Sequence, residues 1–431
     1  MLKIKDKVYF SGKDVCKLST VYKTPFFLFS EKALEENYKN FQKSFLSNYK
    51  KVRVDFSVKT NNEVQILKIL SKLGSCAEIV AGHELFLCLK AGFKPEKITF
   101  DGPCKSDEEI EYALSKNIHA FYADSIGEFE RLNELARKAK KLVNVGLRIN
   151  LGIKSILEGP AETFIGKFGV PLEEASAFLP EVNKKYKNLR LMAISTHIGS
   201  QIISVEPYLK SCSLMLRLAS HLEKNGVRLQ EINLGGGFPS QTLFKVTLPK
   251  MLLSYLKVTS KQNIPPISEY GKKISQKFAQ EIRRYNLPSY TLALQPGRSI
   301  SSSMGVALSR VKVVKEKWIF LDISTSSLPE SLFFAQRKIL IANKVNKKNL
   351  KKYNVAGRGL NSADNFGINL ELPEVEVGDM AVILDAGAYS ISRANRFTVL
   401  NPPVYLIKKT GKITRIRREE NFQDVLGPME L

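Results

Sequence analysis

The sequence predicts an α/β protein, a (β/α)8 barrel of the TIM type followed by a C-terminal β-sandwich domain. The first observation is that short apolar runs alternate with longer segments of helical periodicity from residue 31 to residue 299. The second is length, because eight such units need roughly 250 residues. The third is a change after Ser299, where strand-like runs and turn residues replace the helical periodicity.

Eight short runs rich in Val, Ile and Phe are the candidate barrel strands. They are Val52–Val58, Cys76–Val80, Ile98–Phe100, Ala120–Ala123, Val145–Ile149, Met192–His197, Ile232–Leu234 and Thr291–Gln295. An open doubly wound sheet is the alternative architecture. The barrel is favoured because no GxGxxG sequence follows the first strand.

The segments between these strands carry apolar residues at helical spacing. The predicted helices are Glu31–Phe45, Glu63–Leu73, Glu84–Ala91, Asp107–Asn117, Ser125–Lys141, Leu172–Lys187, Tyr208–Asn225 and Lys272–Tyr285. Asn62, Ser106 and Asp124 are predicted N-caps, because their short polar side chains can accept hydrogen bonds from the first turn of a helix.

The domain boundaries are predicted at 31–299 for the barrel, with 1–30 and 300–431 forming the β-sandwich domain. The predicted strands of that domain are Val311–Val314, Trp318–Leu321, Lys338–Ala342, Met380–Leu384 and Val404–Ile407. Tyr9–Phe10 is expected to add a strand to it. The lysine-rich segment Lys344–Lys352 is expected to be a solvated loop.

The chain is strongly basic. Its 431 residues include 66 Lys and Arg against 42 Asp and Glu, which gives a net charge of +24. This charge bears on partners rather than on fold. The basic residues lie in short runs without interleaved aromatics, a pattern typical of a solvated surface, so nucleic acid is disfavoured as a partner. An acidic carrier protein that presents a tethered substrate stays open as an alternative.

The cysteine pattern favours a reducing compartment. Five cysteines occur without a CxxC pair, which indicates neither a disulfide framework nor a metal site. The first residues lack the apolar core of a signal peptide, and no run approaches the ~18 apolar residues of a membrane span. We therefore expect a soluble cytoplasmic protein that binds no metal.

Candidate catalytic residues follow the predicted strands, and the carboxyl ends of barrel strands carry the active sites of barrel enzymes. Lys59 ends the first strand, where partial desolvation would suit an amine that forms a Schiff base. A strand-end lysine that extends into solvent is the alternative. His197 ends the sixth strand, and its flat ring can stack on another ring. A packed core histidine is the alternative here.

Candidate anion-binding residues follow the sixth, seventh and eighth strands. Ser200 offers a hydroxyl, and Gly235, Gly236 and Gly237 let backbone N–H groups approach an oxyanion closely. Arg298 follows Gln295-Pro296-Gly297 and would add a guanidinium. Arg148 ends the fifth strand, and Tyr389 lies on a later glycine turn. Together these residues suggest a pyridoxal phosphate site, although each alone is also compatible with an ordinary strand end or turn.

The sequence resembles the barrel-type pyridoxal phosphate-dependent decarboxylases, the family of diaminopimelate and ornithine decarboxylases. The resemblance rests on the ordered set FSVKTN, GHEL, LRIN, KFG, HIGSQ, LGGGFP, QPGRS and DAGAY. It implies a cofactor-binding barrel, a β-sandwich domain and a homodimer with active sites at the subunit interface. It implies that Lys59 carries the cofactor aldimine and that His197 stacks on the pyridine ring.

The resemblance also implies further roles within the site. The residues implied to hold the phosphate are Ser200, Gly235, Gly236, Gly237, Arg298 and Tyr389, and Gln295 and Gly297 are further implied cofactor-binding positions. Arg148 would lie beside the ring, and Glu78 takes the place of a family aspartate near the lysine. By the same comparison, Glu330, Asn361 and Asp364 occupy substrate-binding positions.

Four positions depart from the family pattern. Gln295 replaces the glutamate that pairs with the pyridine nitrogen, and Leu360 replaces the catalytic cysteine. Asn361 replaces an acidic residue that binds the distal amine of the substrate. Glu330 lies in the stretch where diaminopimelate decarboxylases carry an arginine for the distal carboxylate, so diaminopimelate is disfavoured as the substrate.

We therefore expect a pyridoxal phosphate-dependent amino-acid decarboxylase, a carboxy-lyase, that acts on a small-molecule substrate. Two alternatives stay open. One is an altered outcome, either racemisation or decarboxylation-linked transamination. The other is a non-catalytic, decarboxylase-like regulatory or binding protein. The sequence leaves the identity and stereochemistry of the substrate undetermined.

Overall fold

Eight parallel strands close into a barrel in the order of the chain, because the eighth strand pairs with the first. The computed structural model describes residues 2–153, 166–245, 263–329 and 335–430. The barrel strands are Val52–Ser57, Cys76–Ile79, Ile98–Phe100, Ala120–Ala123, Val143–Asn150, Leu189–Ser195, Glu231–Asn233 and Thr291–Leu294. All eight predicted strands are confirmed, and closure excludes the open doubly wound sheet.

Helices follow these strands, as the apolar spacing predicts. The helices of the barrel region are Glu31–Leu46, Val64–Lys72, Gly82–Lys90, Asp107–Lys116, Ile126–Lys138, Leu172–Phe178, Val182–Lys185, Glu206–Lys224 and Ile267–Arg284. The single helix predicted over Leu172–Lys187 is wrong. The 3₁₀ turn Leu179–Glu181 interrupts it at Pro180, which lacks the N–H that a continuous helix needs.

Only one of the three predicted N-caps is confirmed. Ser106 accepts a hydrogen bond from Glu109 N–H and completes a capping box. The helix expected to begin after Asn62 has Glu63 as its N-cap. The helix expected to begin after Asp124 has Ser125 as its N-cap, and the Asp124 carboxylate binds elsewhere in the barrel.

The chain divides into two compact units. One comprises the described residues within 38–239 and 260–297 and contains the barrel. The other comprises the described residues within 1–37, 240–259 and 298–431. The domain boundaries proposed from the sequence, 31–299 for the barrel and 1–30 with 300–431 for the β-sandwich domain, remain a prediction.

The second unit is built mainly from antiparallel strands. They are Leu2–Ile4, Val8–Phe10, Lys13–Asp14, Phe26–Ser30, Phe244–Lys245, Gly305–Lys315, Trp318–Leu321, Ala335–Gln336, Ile339–Ile341, Leu350–Ala356, Asn365–Pro373, Met380–Ile383, Val404–Ile407 and Ile413–Arg417. The long strand Gly305–Lys315 joins two sheets, because its first half pairs with Phe26–Ser30 and its second half with Trp318–Leu321. The predicted β-sandwich domain is confirmed, with two sheets that share the strand Gly305–Lys315.

The expected strand at Tyr9–Phe10 is present in this unit, where Val8–Phe10 pairs with Leu2–Ile4 and Lys13–Asp14 in a small separate sheet. One prediction for this unit is wrong. The expected solvated loop Lys344–Lys352 ends inside the strand Leu350–Ala356. This unit also contains the helices Val15–Val21, Arg298–Ser301 and Phe422–Leu426 and the 3₁₀ turns Ser302–Met304, Thr325–Ser327 and Ile391–Arg393.

Apolar packing holds the second unit together, through a buried cluster that includes Phe10, Phe26, Leu308 and Val382. In the described part of the chain, no helix combines the length and apolar character that a membrane crossing requires. The same residues contain no group of three or more His, Cys, Asp or Glu side chains placed to hold a metal ion.

Candidate active site

Lys59 lies at the carboxyl end of the first barrel strand, in the 3₁₀ turn Val58–Thr60. Its Nζ donates to Glu78 Oε1 over 3.2 Å. The Lys59 side chain is 42% exposed and the Glu78 side chain only 1% exposed. Ser57 Oγ donates to the other carboxylate oxygen of Glu78. A buried carboxylate, itself held by a hydroxyl, therefore positions a partly accessible amine at the barrel mouth.

The loop after the eighth strand packs tightly against this turn. Ser57 N–H donates to the carbonyl of Pro296 over 3.1 Å. A Cβ atom at Gly297 would overlap Thr60 Oγ1, so only glycine allows this approach. Gly297 therefore positions the backbone beside Lys59.

His197 follows the sixth strand and is fixed by the glycine-rich loop of the seventh. The backbone N–H of Gly236 donates to His197 Nδ1 over 3.1 Å. Since Nδ1 accepts this bond, the imidazole is neutral and carries its proton on Nε2. Burial, together with the positive charges of Arg148 and Lys59, lowers the pKa of His197 to about 3.

Backbone contacts explain the three consecutive glycines. A Cβ atom at Gly235, Gly236 or Gly237 would overlap the carbonyl oxygen of Thr196, Gln295 or Gly199, respectively. Gly235 and Gly237 also have φ angles of 71° and 87°, which favour glycine. The loop is therefore held between the loops that follow the sixth and eighth strands.

The amides of this loop are only partly available to an anion. Gly235 N–H donates to Asn233 Oδ1 over 2.8 Å, and Gly236 N–H donates to His197. Among the residues that the structure describes, Gly237 N–H has no hydrogen-bond acceptor. This differs from the sequence expectation, in which all three N–H groups approach one oxyanion. Ser200 follows His197 in the neighbouring loop and is partly exposed.

Arg148 is the centre of an electrostatic cluster at the fifth strand. Its Nη1 lies 3.5 Å from Asp124 Oδ1, and its guanidinium lies over the ring of Phe168 at 4.7 Å. Burial opposes ionisation of Asp101, but the charges of Arg148, Lys105 and Lys59 hold its pKa below the usual range. Asp101 and Asp124 are thus site residues that the sequence analysis missed, although both directly follow barrel strands.

Glu84 was also missed, although it belongs to the GHEL segment. Its Oε2 accepts a hydrogen bond from Val80 N–H over 2.7 Å. Burial, with a smaller contribution from Glu78, raises the pKa of Glu84 to about 7. The signal available in the sequence was an acidic residue inside the first turn of a buried helix.

Gln295 ends the eighth strand and is buried. Its backbone N–H donates to the carbonyl of Gly235 over 2.8 Å. Its side-chain Nε2 is buried and has no hydrogen-bond acceptor in the part of the chain that the structure describes. A buried amide donor without an acceptor is costly, and it marks a place where a ligand atom can accept a hydrogen bond.

Arg298 and Tyr389 meet in the second compact unit. Arg298 begins the short helix Arg298–Ser301, and its guanidinium carbon lies 4.8 Å from the centre of the Tyr389 ring. Tyr389 has a φ angle of 51°, on the turn that begins at Asp385. The structure therefore brings together two of the predicted phosphate-binding residues that are far apart in sequence.

The predicted substrate-binding residues differ in their surroundings. Asp364 is buried, and its carboxylate accepts bonds from the Thr325 N–H, the Thr325 hydroxyl and the Gly359 N–H, each over 2.7 Å. Asn361 is exposed and accepts a bond from Ala363 N–H. Asp364 therefore holds the shape of this loop, and Leu360 at its tip is 97% exposed. Glu330 lies outside the described residues.

Comparison with protein families gives a match over most of the barrel. The family model described as pyridoxal-dependent decarboxylase, pyridoxal binding domain, matches residues 31–302. Diaminopimelate decarboxylase of Methanocaldococcus jannaschii is 28% identical over 439 residues, which cover 99% of this chain and 96% of the relative. The Methanothermobacter thermautotrophicus enzyme of the same name is 28% identical over 440 residues, with coverages of 99% and 96%.

Solved structures give the same result. The crystal structure of diaminopimelate decarboxylase from M. jannaschii superposes with a TM-score of 0.87 at 27% identity, covering 100% of this chain and 98% of the other. The Helicobacter pylori enzyme complexed with L-lysine gives a TM-score of 0.83 at 26% identity, with coverages of 96% and 98%. The likeness therefore includes both compact units.

Proposed function

The chain belongs to the pyridoxal-dependent decarboxylase family, and from this premise we propose that it removes the α-carboxylate of an amino acid other than diaminopimelate. The observation that carries the proposal is the Lys59–Glu78 ion pair at the barrel mouth, close enough to His197 for the charge of Lys59 to lower its pKa. This arrangement places an amine where a carbonyl cofactor can react with it.

The residues of the barrel fit pyridoxal phosphate. Gly237 N–H and Gln295 Nε2 are two donors without acceptors among the described residues, and the cofactor offers acceptors in its phosphate and its pyridine nitrogen. Side chains at positions 235–237 would collide with neighbouring carbonyls, so the backbone itself lines this loop. When bound, the cofactor withdraws electrons from the α-carbon and stabilises the negative charge left by the departing carboxylate.

The proposal gives each candidate site residue a distinct role. Lys59 would bind the cofactor covalently, and Glu78 orients the Lys59 amine. His197 would stack on the ring as a neutral imidazole, and Arg148 would lie beside it. The phosphate would be bound by Ser200, Gly235, Gly236, Gly237, Arg298 and Tyr389, and Gly297 would be a further cofactor-binding position. Of the three consecutive glycines, only Gly237 has an N–H without an acceptor among the described residues.

Gln295 would influence how strongly the pyridine ring withdraws electrons, through a hydrogen bond to the ring nitrogen. A neutral amide cannot form the charge-assisted bond of a carboxylate, which is roughly twice as strong as a neutral hydrogen bond. Its Nε2 can instead donate to an unprotonated pyridine nitrogen. We therefore propose a less electron-withdrawing ring and a slower or differently directed reaction than in relatives that carry glutamate.

The identity of the proton donor also changes. Leu360 has no acidic proton, so the cysteine function implied by the family resemblance is lost. Lys59 Nζ, which is paired with Glu78, can hold a proton at the barrel mouth and donate it to the α-carbon after carbon dioxide leaves. Water is the other available donor.

Three positions support a substrate other than diaminopimelate. Glu330 and Asn361 place a carboxylate and a neutral amide where the family resemblance implies an arginine and an acidic residue. A site that lacks these two charged residues cannot select a substrate whose side chain carries both a carboxylate and an ammonium group. Leu360 is apolar, so we propose a substrate whose side chain ends in an uncharged group. Asp364 supports the shape of this loop, and its contact with the substrate stays a prediction.

The experiment is a panel of amino acids incubated with the cofactor-loaded protein, with carbon dioxide, racemised substrate and pyridoxamine phosphate measured in parallel. Release of carbon dioxide from an amino acid with an uncharged side chain supports the proposal. Turnover of diaminopimelate in preference to the rest of the panel contradicts it.

Leu360 and Gln295 favour a second candidate function, racemisation or decarboxylation-linked transamination, which the same panel detects. A non-catalytic regulatory protein is the third. It predicts that cofactor binds while no amino acid yields any of the three products.

Two further proposals concern the environment of the protein. We propose that it is a cytoplasmic homodimer, on the basis of its free cysteines and its family. Light scattering measures the dimer directly. Salt-sensitive co-purification with an acidic protein tests the carrier-bound form of the substrate, which the net charge of +24 suggests.

A further inference from the structure

Arg337 is a buried cation that spans the turn leading to Tyr389. It is 2% exposed. Its Nη1 donates to the carbonyl of Asp385, and its Nη2 donates to the carbonyl of Ala388 over 3.1 Å. One guanidinium therefore binds both ends of a four-residue turn. Nothing in the sequence patterns discussed above assigns Arg337 a role.

The turn needs support, because its first residue and the residue that directly follows it adopt an unfavourable backbone conformation. Asp385 and Tyr389 have φ angles of 57° and 51°, in the left-handed region. For residues other than glycine, such conformations are unfavourable and persist only where the surroundings enforce them. Arg337 binds the carbonyl of Asp385 itself and the carbonyl immediately before Tyr389.

Two further contacts hold the same turn. Ser240 Oγ and Thr242 Oγ1 both donate to the Asp385 carboxylate, the first over 2.6 Å. A Cβ atom at Gly387 would overlap the carbonyl oxygen of Ser301, so the turn packs directly on the helix that begins at Arg298. The Tyr389 ring and the Arg298 guanidinium, 4.8 Å apart, complete this arrangement.

We propose that Arg337 is a positioning residue for the phosphate of the cofactor: it fixes the turn 385–388 and thereby the position of Tyr389 against Arg298. This inference rests on the proposed function, in which Arg298 and Tyr389 bind that phosphate. Arginine suits the task because its planar fork can donate to two carbonyls at once, whereas a lysine ammonium is a single point of attachment.

The test measures cofactor affinity rather than turnover. The apo-protein is titrated with pyridoxal phosphate and, separately, with pyridoxal, which lacks the phosphate. The variants are Arg337→Gln and Arg337→Lys. We expect Arg337→Gln to weaken binding of pyridoxal phosphate about tenfold, the effect of losing one charged hydrogen bond. The dissociation constant of pyridoxal should change by less than about twofold. Arg337→Lys should give an intermediate loss.

The matched control is Arg310→Gln. Arg310 also donates to two backbone carbonyls in this unit, those of Gly378 and Ser19, over 2.9 and 3.3 Å. It has no bond to the turn at 385–388 among the described residues. A general loss of stability should therefore appear in both variants in thermal unfolding, while a loss specific to the phosphate should appear only at position 337.

Three results would overturn the inference: equal effects of Arg337→Gln and Arg310→Gln, equal weakening of both ligands, or unchanged binding of pyridoxal phosphate in both Arg337 variants. If Arg337→Gln does not fold, Arg337→Lys decides. The variant Tyr389→Phe distinguishes a failure of the role inferred for Arg337 from a failure of the role proposed for Tyr389. If Tyr389→Phe weakens pyridoxal phosphate binding but the Arg337 variants do not, only this inference fails. If Tyr389→Phe has no effect either, the proposed role of Tyr389 fails with it.

Discussion

The backbone N–H of Gly236 donates a hydrogen bond to Nδ1 of His197 over 3.1 Å. This bond requires an unprotonated Nδ1, so a glycine after the seventh strand sets the tautomer of a histidine after the sixth. A neutral imidazole can stack on a cofactor ring without adding positive charge to a site that already holds Lys59 and Arg148. The glycine loop thus fixes the imidazole, in addition to its proposed role in binding an anion.

The first prediction concerns the pH dependence of stability. The pKa of His197 is lowered to about 3 by burial and by the charges of Arg148 and Lys59. Between pH ~6.5 and ~3 the unfolded state binds more protons than the folded state, so His197 makes stability fall as pH falls, with a slope of at most about 1.4 kcal/mol per pH unit. Urea unfolding of the apo-protein at several pH values measures this slope.

The variants His197→Asn and His197→Gln should both remove this contribution, because neither side chain titrates. His197→Asn keeps an acceptor near the position of Nδ1 and should lose less stability at neutral pH than His197→Gln. A slope that is unchanged in both variants would contradict the assignment.

Glu84 predicts a slope of the opposite sign. Burial raises the pKa of Glu84 to about 7, so the folded state binds more protons than the unfolded state between pH ~4.5 and ~7. Stability from this group is therefore present at low pH and is lost as pH rises through that window. Glu84→Gln keeps an acceptor for Val80 N–H and should reduce the loss of stability with rising pH. Urea unfolding of the variant at the same pH values tests this prediction, and a steeper loss of stability than in the wild type would contradict it.

Gly236→Ala should weaken both the fold and the site. Its Cβ atom would overlap the Gln295 carbonyl, so the loop must shift and the bond to His197 must lengthen. We expect a destabilisation of about 2 kcal/mol, in the range of overpacked sites, and weaker pyridoxal phosphate binding.

The control is Gly127→Ala, in the helix Ile126–Lys138, where no atom lies within 4 Å of the added Cβ. Alanine should stabilise that helix by roughly 0.5–1 kcal/mol. Chemical denaturation compares the two variants. Equal effects would show that the close contact at Gly236 has no energetic weight.

Lys59→Arg separates charge from nucleophilicity. Arginine keeps a cation opposite Glu78 but offers no amine that can form an imine. We expect the variant to bind pyridoxal phosphate without a covalent bond and to lose activity by about 10³-fold or more, which corresponds to roughly 4 kcal/mol of barrier. Borohydride reduction followed by peptide mapping checks it. A modified peptide that contains residue 59 should appear only in the wild type, and a covalent adduct in the variant would refute the role of Lys59.

Gln295→Glu should couple protein stability to the cofactor. Without ligand, the variant buries a carboxylate in place of a neutral amide and should be less stable than the wild type by about 1–3 kcal/mol. With pyridoxal phosphate, a protonated ring nitrogen can pair with the carboxylate, so the stabilisation by cofactor should exceed that of the wild type. Thermal unfolding with and without cofactor measures both values, and Gln295→Met serves as the neutral control.

Much of the fold could be predicted because each barrel strand is a short apolar run followed by a helical segment. The run ending at Lys59 and the glycines after Asn233 could be identified from their own residues. The helix over Leu172–Lys187 could not be bounded correctly, because the effect of Pro180 was outweighed by the apolar spacing around it. The strand Leu350–Ala356 was missed because its lysines resemble a loop, although its partner strands make it part of a sheet.

The sequence by itself determined the barrel, the candidate cofactor-binding lysine and the residue types at Gln295 and Leu360, because these depend on residue type and order along the chain. Only the tertiary structure decided that Gly236 binds His197, that Arg148 pairs with Asp124 and lowers the pKa of Asp101, and that Arg337 binds the turn before Tyr389. These relationships join residues that are distant in sequence. Their energies depend on distance, burial and direction, none of which a linear pattern contains.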